Sequence, residues 1–362
     1  MGIKGLTKFL RETYPSLFKT IHLSEYRYEK ICVDTSLYVC NYKALHGDNW
    51  INAIIKLVVC LRENDIHPNF VYDSGFPPEK EKERKKRWDA RTEADERVTC
   101  LENAIEKYNL TGEIEPILYE FQTKKKLESK RIMRNKNDNN TSLNITAIES
   151  TVKKMRKQLF TIGPEDFDLT KKVFDTMNVP YINAPMEAEA CCSDLCIQNK
   201  CLAVLSEDSD VLCYGANVFL CKINTSNSTC QRVLYSDLLE ATGFTKEQFI
   251  DFCIMCGCDY NQNIPKIGPK KSFALIEKYK SIEKIAETGI DVSILNHKRS
   301  RELFSDYVRC NFKVNYCGFP DFDKFNILCF QKNIKMDIQS IKNSFEPKII
   351  IEEDEVQENE EH

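Results

Sequence analysis

The 362-residue sequence contains no uncharged apolar stretch as long as the ~18 residues that a membrane-spanning helix needs. Its opening, MGIKGLTKFL, has no apolar run of signal-peptide length. These two absences lead to the expectation of a protein inside the cell and off the membrane. The M-G-x-x-x-[ST] pattern for N-myristoylation fails at Leu6. Histidine is sparse, at five residues, and no Cys or His pairs complete a zinc pattern. Cysteine, by contrast, is frequent: there are seventeen, an odd number, most of them in apolar segments where a reduced thiol packs as a small hydrophobe. Cys253, Cys256 and Cys258 have ligand-like spacing but lie in such a segment, so they read as core. No internal repeat is found.

The bulk composition is ordinary, with 42% hydrophobic and 29% charged residues, enough for a large core in one α/β domain or two smaller ones. The formal charge of −4 conceals an uneven distribution. The segment 352–362, EEDEVQENEEH, holds seven acids and no Lys or Arg, so the rest of the chain is slightly basic. Residues 122–157 carry eleven Lys or Arg against three acids. A basic body suits a polyanionic ligand. The centre of the 122–157 segment, NKNDNNTSLN, is poor in apolar residues and reads as a mobile loop. The acidic tail reads as disordered.

Three short apolar runs end in acids, KICVD (30–34), NFVYD (69–73) and CLAVLSED (201–208), and VFLCKI (218–223) has the look of a further strand. With helical apolar spacing at 50–63 and 245–256, this pattern predicts a mostly parallel sheet with crossover helices. Ligands of open α/β sheets bind beyond the carboxyl ends of the strands. Parallel strands would gather Asp34, Asp73, Asp208 and Asp210 there. NAPMEAEACC adds Glu187 and Glu189, with Pro185 fitted to the first turn of a helix whose dipole favours anions. Asp259, after an apolar helix, is a seventh carboxylate. Seven carboxylates in one crevice need cations between them, and hard oxygen donors without histidine point to Mg2+ or Mn2+. Two such ions roughly 4 Å apart could activate water, steady a leaving oxygen and so hydrolyse a phosphodiester.

The blocks MGIKGLTKFL, ICVDTSLY, FVYDSGFPPEK, APMEAEA, SEDSDVLCYG and GCDYNQNIPKIGPKKSFALI stand in the order found in the flap-endonuclease/XPG family of structure-specific 5′ nucleases. The chain resembles that family over residues 1–285, with a divergent insertion near 95–160. The resemblance implies an α/β, PIN-like fold: a mostly parallel central sheet flanked by helices, with a helical arch and a helix–two-turn–helix DNA-binding element. It maps the family's metal-binding acids onto Asp34, Asp73, Glu187, Glu189, Asp208, Asp210 and Asp259. Two Mg2+ ions per site are implied, with Mn2+ able to substitute. Lys80 and Arg87, two helical turns apart and so on one face, match the residues that reach the scissile phosphate. Lys82, Arg84, Lys85 and Lys86 read as a solvated face. Residues 79–160 resemble the arch through or beneath which a single 5′ strand passes. Gly2 belongs near the active site once Met1 is removed. In NIPKIGPKKSFALI, Gly268 makes a tight turn and Pro269 opens a helix whose amides, with Lys270 and Lys271, would hold duplex phosphates. The family often carries K+ on backbone carbonyls there. Here Pro265-Lys266 stands in the turn where a basic residue and glycine are usual.

The expected organisation is an N-terminal nuclease region at 1–94, a basic arch at 95–165, an internal nuclease region at 166–258, the helix–two-turn–helix with C-terminal helices at 259–340, and a disordered tail at 341–362. Two departures bear on the substrate. The stretch between Asp34 and residue 50 is short where flap endonucleases keep a duplex-opening wedge and a 3′-flap pocket. No Gln-x-x-aliphatic-x-x-aromatic-aromatic motif for a sliding clamp occurs near the C-terminus. The expected partner is branched or flapped DNA, met by a monomer. The nucleus is favoured over the cytoplasm, since KKKLESKRIMR resembles a localisation run. Two other readings stay open: an RNA-degrading nuclease using the same metal chemistry, and a nucleic-acid-binding protein without catalysis.

Overall fold

Short runs of apolar and β-branched residues build seven strands: β1 (Lys19–His22), β2 (Lys30–Asp34), β3 (His67–Tyr72), β4 (Tyr181–Asn183), β5 (Ala203–Leu205), β6 (Val218–Asn224) and β7 (Thr229–Leu234). They form one sheet in the order β1-β7-β6-β5-β2-β3-β4. The strands from β6 to β4 run parallel, and β7 and β1 extend the β6 edge antiparallel. This computed structural model describes residues 2–132, 143–305 and 309–345, with 125–132 as backbone alone. The centre of the NKNDNNTSLN segment and the acidic tail lie outside the described residues.

Both faces of the sheet are buried. Ile31 and Val33 enter one apolar core while Cys32 between them enters the other, the period-two alternation of a strand. A strand covered on both sides reads as a continuous apolar run, and the runs at 30–34, 69–73, 201–208 and 218–223 are indeed β2, β3, β5 and β6. β1, β4 and β7 were not anticipated, because none of them is a continuous buried run: β1 and β4 have exposed positions, and β7 is mostly half-buried. Strand order reverses between β2 and β5, which creates a crevice at their carboxyl ends.

The helices α1 (Leu6–Thr13), α2 (Thr35–His46) and α3 (Trp50–Glu63) precede the arch. The arch itself is α4 (Glu81–Thr111), α5 (Pro116–Ile132) and α6 (Ile145–Gln158). With 31 residues, α4 is about 46 Å long, and the expected boundary at 94/95 falls inside it. None of its residues before Val98 is buried, so its first half, which opens with the basic cluster Lys82, Arg84, Lys85, Lys86 and Arg87, stands free of the main cores. Farther along, Val98, Leu101, Leu118, Phe121, Ile148 and Val152 form a third, separate core. Arg156 of α6 fastens it by ion pairs to Asp95 and Glu102 of α4.

After the arch come α7 (Pro164–Thr176), α8 (Ala188–Ile197), α9 (Asp210–Tyr214), α10 (Tyr235–Thr242), α11 (Lys246–Cys256), α12 (Pro269–Tyr279), α13 (Ile282–Ala286) and α14 (His297–Ser305). Cys253, Cys256 and Cys258 are packed in the core, as expected. Among the described residues no helix is long and apolar enough to cross a membrane. The helices after α10 are joined by Arg301 of α14, which bonds buried Asp251 of α11 at 2.5 and 2.7 Å and Glu283 of α13 at 2.5 and 2.8 Å. The Arg301 hydrogen bonds hold the Glu283 carboxyl down at about 2. Removing the guanidinium strands Asp251, so Arg301→Ala should cost about 3 kcal/mol in urea unfolding. Glu283 is lowered in the folded state, so its contribution is complete above its unfolded value and fades as pH falls toward 2. The difference between wild type and variant should therefore narrow from pH 5 to pH 2. A cost below ~1 kcal/mol, or one constant over that window, would contradict this role.

Candidate active site

The carboxylates converge at the carboxyl edge of the sheet. Asp34 closes β2 and caps α2, its Oδ1 accepting from the Leu37 amide at 3.2 Å. Its Oδ2 accepts from Ser206 Oγ at 3.0 Å, a bond that spans the crevice between β2 and β5. Asp73 follows β3 and accepts from the Ala188 amide at 2.7 Å, which pins it to the start of α8. Glu187 is the N-cap of α8 and Glu189 lies in its first turn. Pro185 therefore stands two residues before the cap rather than inside the helix, because Glu187 itself is still extended. The placement of both glutamates near the positive helix end holds all the same. Past β5, Asp208 Oδ1 accepts from the Asp210 amide at 2.9 Å, and Asp210 opens α9. Asp259 follows α11.

Six of these acids line one cleft of about 470 Å³ with Lys80, Arg84 and Arg87, and the seventh, Asp210, is buried behind them at 1% exposure. Lys80, at the start of α4, sends its ammonium into the middle. It pairs with Glu187, with Asp259 at 3.2 Å and with Glu189 at 3.5 Å. Burial alone would lower its pKa, but Glu189, Glu187 and Asp259 outweigh that and raise it. Arg87 Nη2 donates to Asp259 Oδ1 at 2.6 Å. Both residues thus meet at the acids, as their spacing predicted.

Positive charge is still short. Burial, then the charges of Asp73 and Asp208, pushes Asp34 up to about 7. Burial also raises Glu189 and Asp210 well above the ordinary carboxylate range, Asp208 and Asp259 adding to the effect at Asp210. Asp210 Oδ1 is buried with no hydrogen-bond partner among the described residues. Among those residues no three carboxylates form a ready-made metal cage, and the Lys80 ammonium pairs with Glu187, Glu189 and Asp259. The donor set nevertheless fits hard divalent cations: carboxylate oxygens, no histidine, and an unpaired buried oxygen facing a surplus of negative charge.

Gly2 is pressed against this cluster. Its φ is +82°, and a Cβ there would collide with Asp208 Oδ1 and lie 2.6 Å from Asp210 Oδ1 and 2.8 Å from Ser209 Oγ. Glycine is required both by the backbone and by the space. Three features went unread in the sequence. Tyr260 OH donates to Glu187 Oε2 at 2.5 Å, and Arg299 of α14 bonds Glu79 at 2.7 Å beside Lys80. Arg84 is exposed, as expected, but it also lines the cleft, with its guanidinium 3.4 Å from the centre of the Phe76 ring. It follows Lys80 by one helical turn, which was the available signal. Lys82, Lys85 and Lys86 are exposed as expected.

Gly268 caps α12 and Pro269 opens it, with Lys270 and Lys271 exposed on its first turn. None of these four lines the acid cleft. Lys266 adopts φ +65°, a left-handed conformation in the turn where the family usually keeps glycine.

This mostly parallel sheet, with carboxylates at its carboxyl edge beneath a helical arch, has the architecture of PIN-like nuclease folds. The chain matches the XPG N-terminal domain over residues 1–94 and the XPG I-region over residues 178–259. It is 32% identical to a probable RAD2-like endonuclease, 369L, of Invertebrate iridescent virus 6, covering 96% of this chain and 92% of the relative. It is 30% identical to flap endonuclease 1 of Salmo salar, over 95% of this chain and 85% of that one. In fold it is similar to the catalytic core of Rad2 solved with a DNA substrate, with a TM-score of 0.64 at 14% identity over 93% of this chain and 98% of that one. The chain belongs to the XPG family of structure-specific nucleases, which includes flap endonucleases and RAD2-like endonucleases.

The packing at Gly2 yields a test. Gly2→Ala should slow nuclease turnover at least about tenfold while the melting temperature barely moves. Full activity in that variant would show that Asp208 and Asp210 have room to spare.

Proposed function

We propose that the chain is a structure-specific 5′ flap endonuclease and 5′–3′ exonuclease that hydrolyses DNA phosphodiester bonds in replication or repair. The observation that carries this reading is the crevice of seven carboxylates with Lys80 and Arg87 inside it. Asp34, Asp73, Glu187, Glu189, Asp208, Asp210 and Asp259 would hold two divalent ions, Mg2+ by preference with Mn2+ as substitute. Such ions supply activation of water and neutralisation of charge on the leaving oxygen.

The protein's own groups do the rest. Asp34 and Asp73 are held rigid by Ser206, Leu37 and Ala188, and Glu187 by Tyr260. A site fixed in this way needs little reorganisation during reaction. Lys80 and Arg87 present cations beside the carboxylates, where they orient the phosphate and offset charge that builds on its oxygens. The cluster Lys82, Arg84, Lys85, Lys86 and Arg87 at the start of α4 would attract a single strand electrostatically. Lys270 and Lys271, exposed at the start of α12, would meet duplex phosphates on a separate surface.

The decisive assay compares Mg2+-dependent cleavage of end-labelled 5′ flap DNA, blunt duplex DNA and single-stranded RNA. Flap DNA should be cut fastest; faster cleavage of RNA would contradict the reading. Asp210→Asn should reduce flap cleavage by at least ~10³-fold with modest loss of binding, and unchanged turnover would reject its ligand role. Arg87→Ala should lower the single-turnover rate about 10²-fold or more, well beyond any loss of duplex affinity. Equal falls in both would make Arg87 a general phosphate contact.

A further inference from the structure

We propose that Phe76, Arg84 and Trp88 form a stacking subsite for the unpaired nucleobase next to the reacting phosphate, an inference that rests on the flap-nuclease reading above. Phe76 lies between Asp73 and Lys80 and is partly exposed on the wall of the acid cleft. The guanidinium of Arg84 stacks on its ring at 3.4 Å from the centroid. Arg84 forms no ion pair among the described residues, although carboxylates crowd the same cleft. Its charge is therefore presented by the ring rather than neutralised.

Trp88 follows Arg84 by four residues and so shares its face of α4. It is 68% exposed, whereas the other tryptophan, Trp50, is buried. No residue of α4 before Val98 is buried, so the indole serves no core. Phe76, Arg84 and Trp88 thus mark a track that leads from the carboxylates up the arch, with a cation between two aromatic rings. That is the chemistry of single-strand binding, where bases stack on rings or guanidinium planes and phosphates meet cations. Lys82, Lys85 and Lys86 on the same segment make the surroundings basic, which favours a polyanion over an apolar protein partner. A base inside a duplex has both faces covered by its neighbours; an unpaired base has a face to offer. The subsite therefore selects unpaired strand at the point of cleavage, largely without regard to base identity.

Two measurements test this. The first follows tryptophan emission of the full chain titrated with single-stranded oligothymidylate or with blunt duplex, with Ca2+ replacing Mg2+. The single strand should quench emission more strongly than the duplex, and Trp88→Phe should remove most of that change because Trp50 is buried. The second compares single-turnover cleavage of flap DNA with an intact or an abasic first unpaired nucleotide. The wild type should cut the abasic flap about tenfold more slowly. Trp88→Ala and Phe76→Leu should cut the intact flap about tenfold more slowly and be indifferent to the missing base, while Trp88→Phe restores the wild-type pattern. Equal wild-type rates on intact and abasic flaps, together with no quench by the single strand, would overturn the subsite, and neither observation depends on a variant folding. If flap DNA is not cut at all, the flap-nuclease reading fails, and the quench alone then decides the subsite.

Discussion

Seven carboxylates cannot share one crevice unless positive charge enters it, and that electrostatic debt organises the molecule around the carboxyl edge of its sheet. The Lys80 ammonium and the Arg87 guanidinium supply part of the charge through their pairs with Glu187, Glu189 and Asp259. The shortfall shows in Asp34, Glu189 and Asp210, all raised by burial among like charges. Such a cluster is a poor way to stabilise a fold. It is a good way to hold divalent cations, since each ion relieves repulsion built in when the chain folds.

The fold keeps the acids from moving apart. Five parallel strands deliver their ends to one edge, and the reversal of strand order between the paired strands β2 and β5 opens a crevice beyond their carboxyl ends. Ser206 bridges it to Asp34, and the Ala188 amide ties Asp73 to α8. On the other flank, Arg299 anchors Glu79 and Arg301 gathers α11, α13 and α14. The base of the arch is thereby joined to the helices that follow Asp259. The arch has its own small core, while the first turns of α4 reach the cleft, where Arg87 pairs with Asp259 and Arg84 stacks on Phe76.

Much of this was readable in the chain. β2, β3, β5 and β6 are buried on both faces, so each is a continuous apolar run, and the acids that end such runs declare where they will meet. Helical spacing was enough to bring Lys80 and Arg87 together. It was not enough for Arg84, because a stretch rich in Lys and Arg does not say which exposed cation will stack on a ring beside the cleft. Glu79 and Arg299 are 220 residues apart, and no local pattern records such a contact. Pro185 misled by one turn, since proline also suits the extended residues ahead of an N-cap. β1, β4 and β7 were silent because half-exposed short strands look like loops.

The account depends most directly on divalent ions satisfying the carboxylate cluster. The measurement is Mn2+ titration of the metal-free chain, following bound ion by electron paramagnetic resonance and stability by melting temperature. Saturable uptake of two ions per chain is predicted, with a melting temperature that rises as they bind. Absence of saturable uptake, with the same melting temperature in Mn2+ and in chelator, would contradict it.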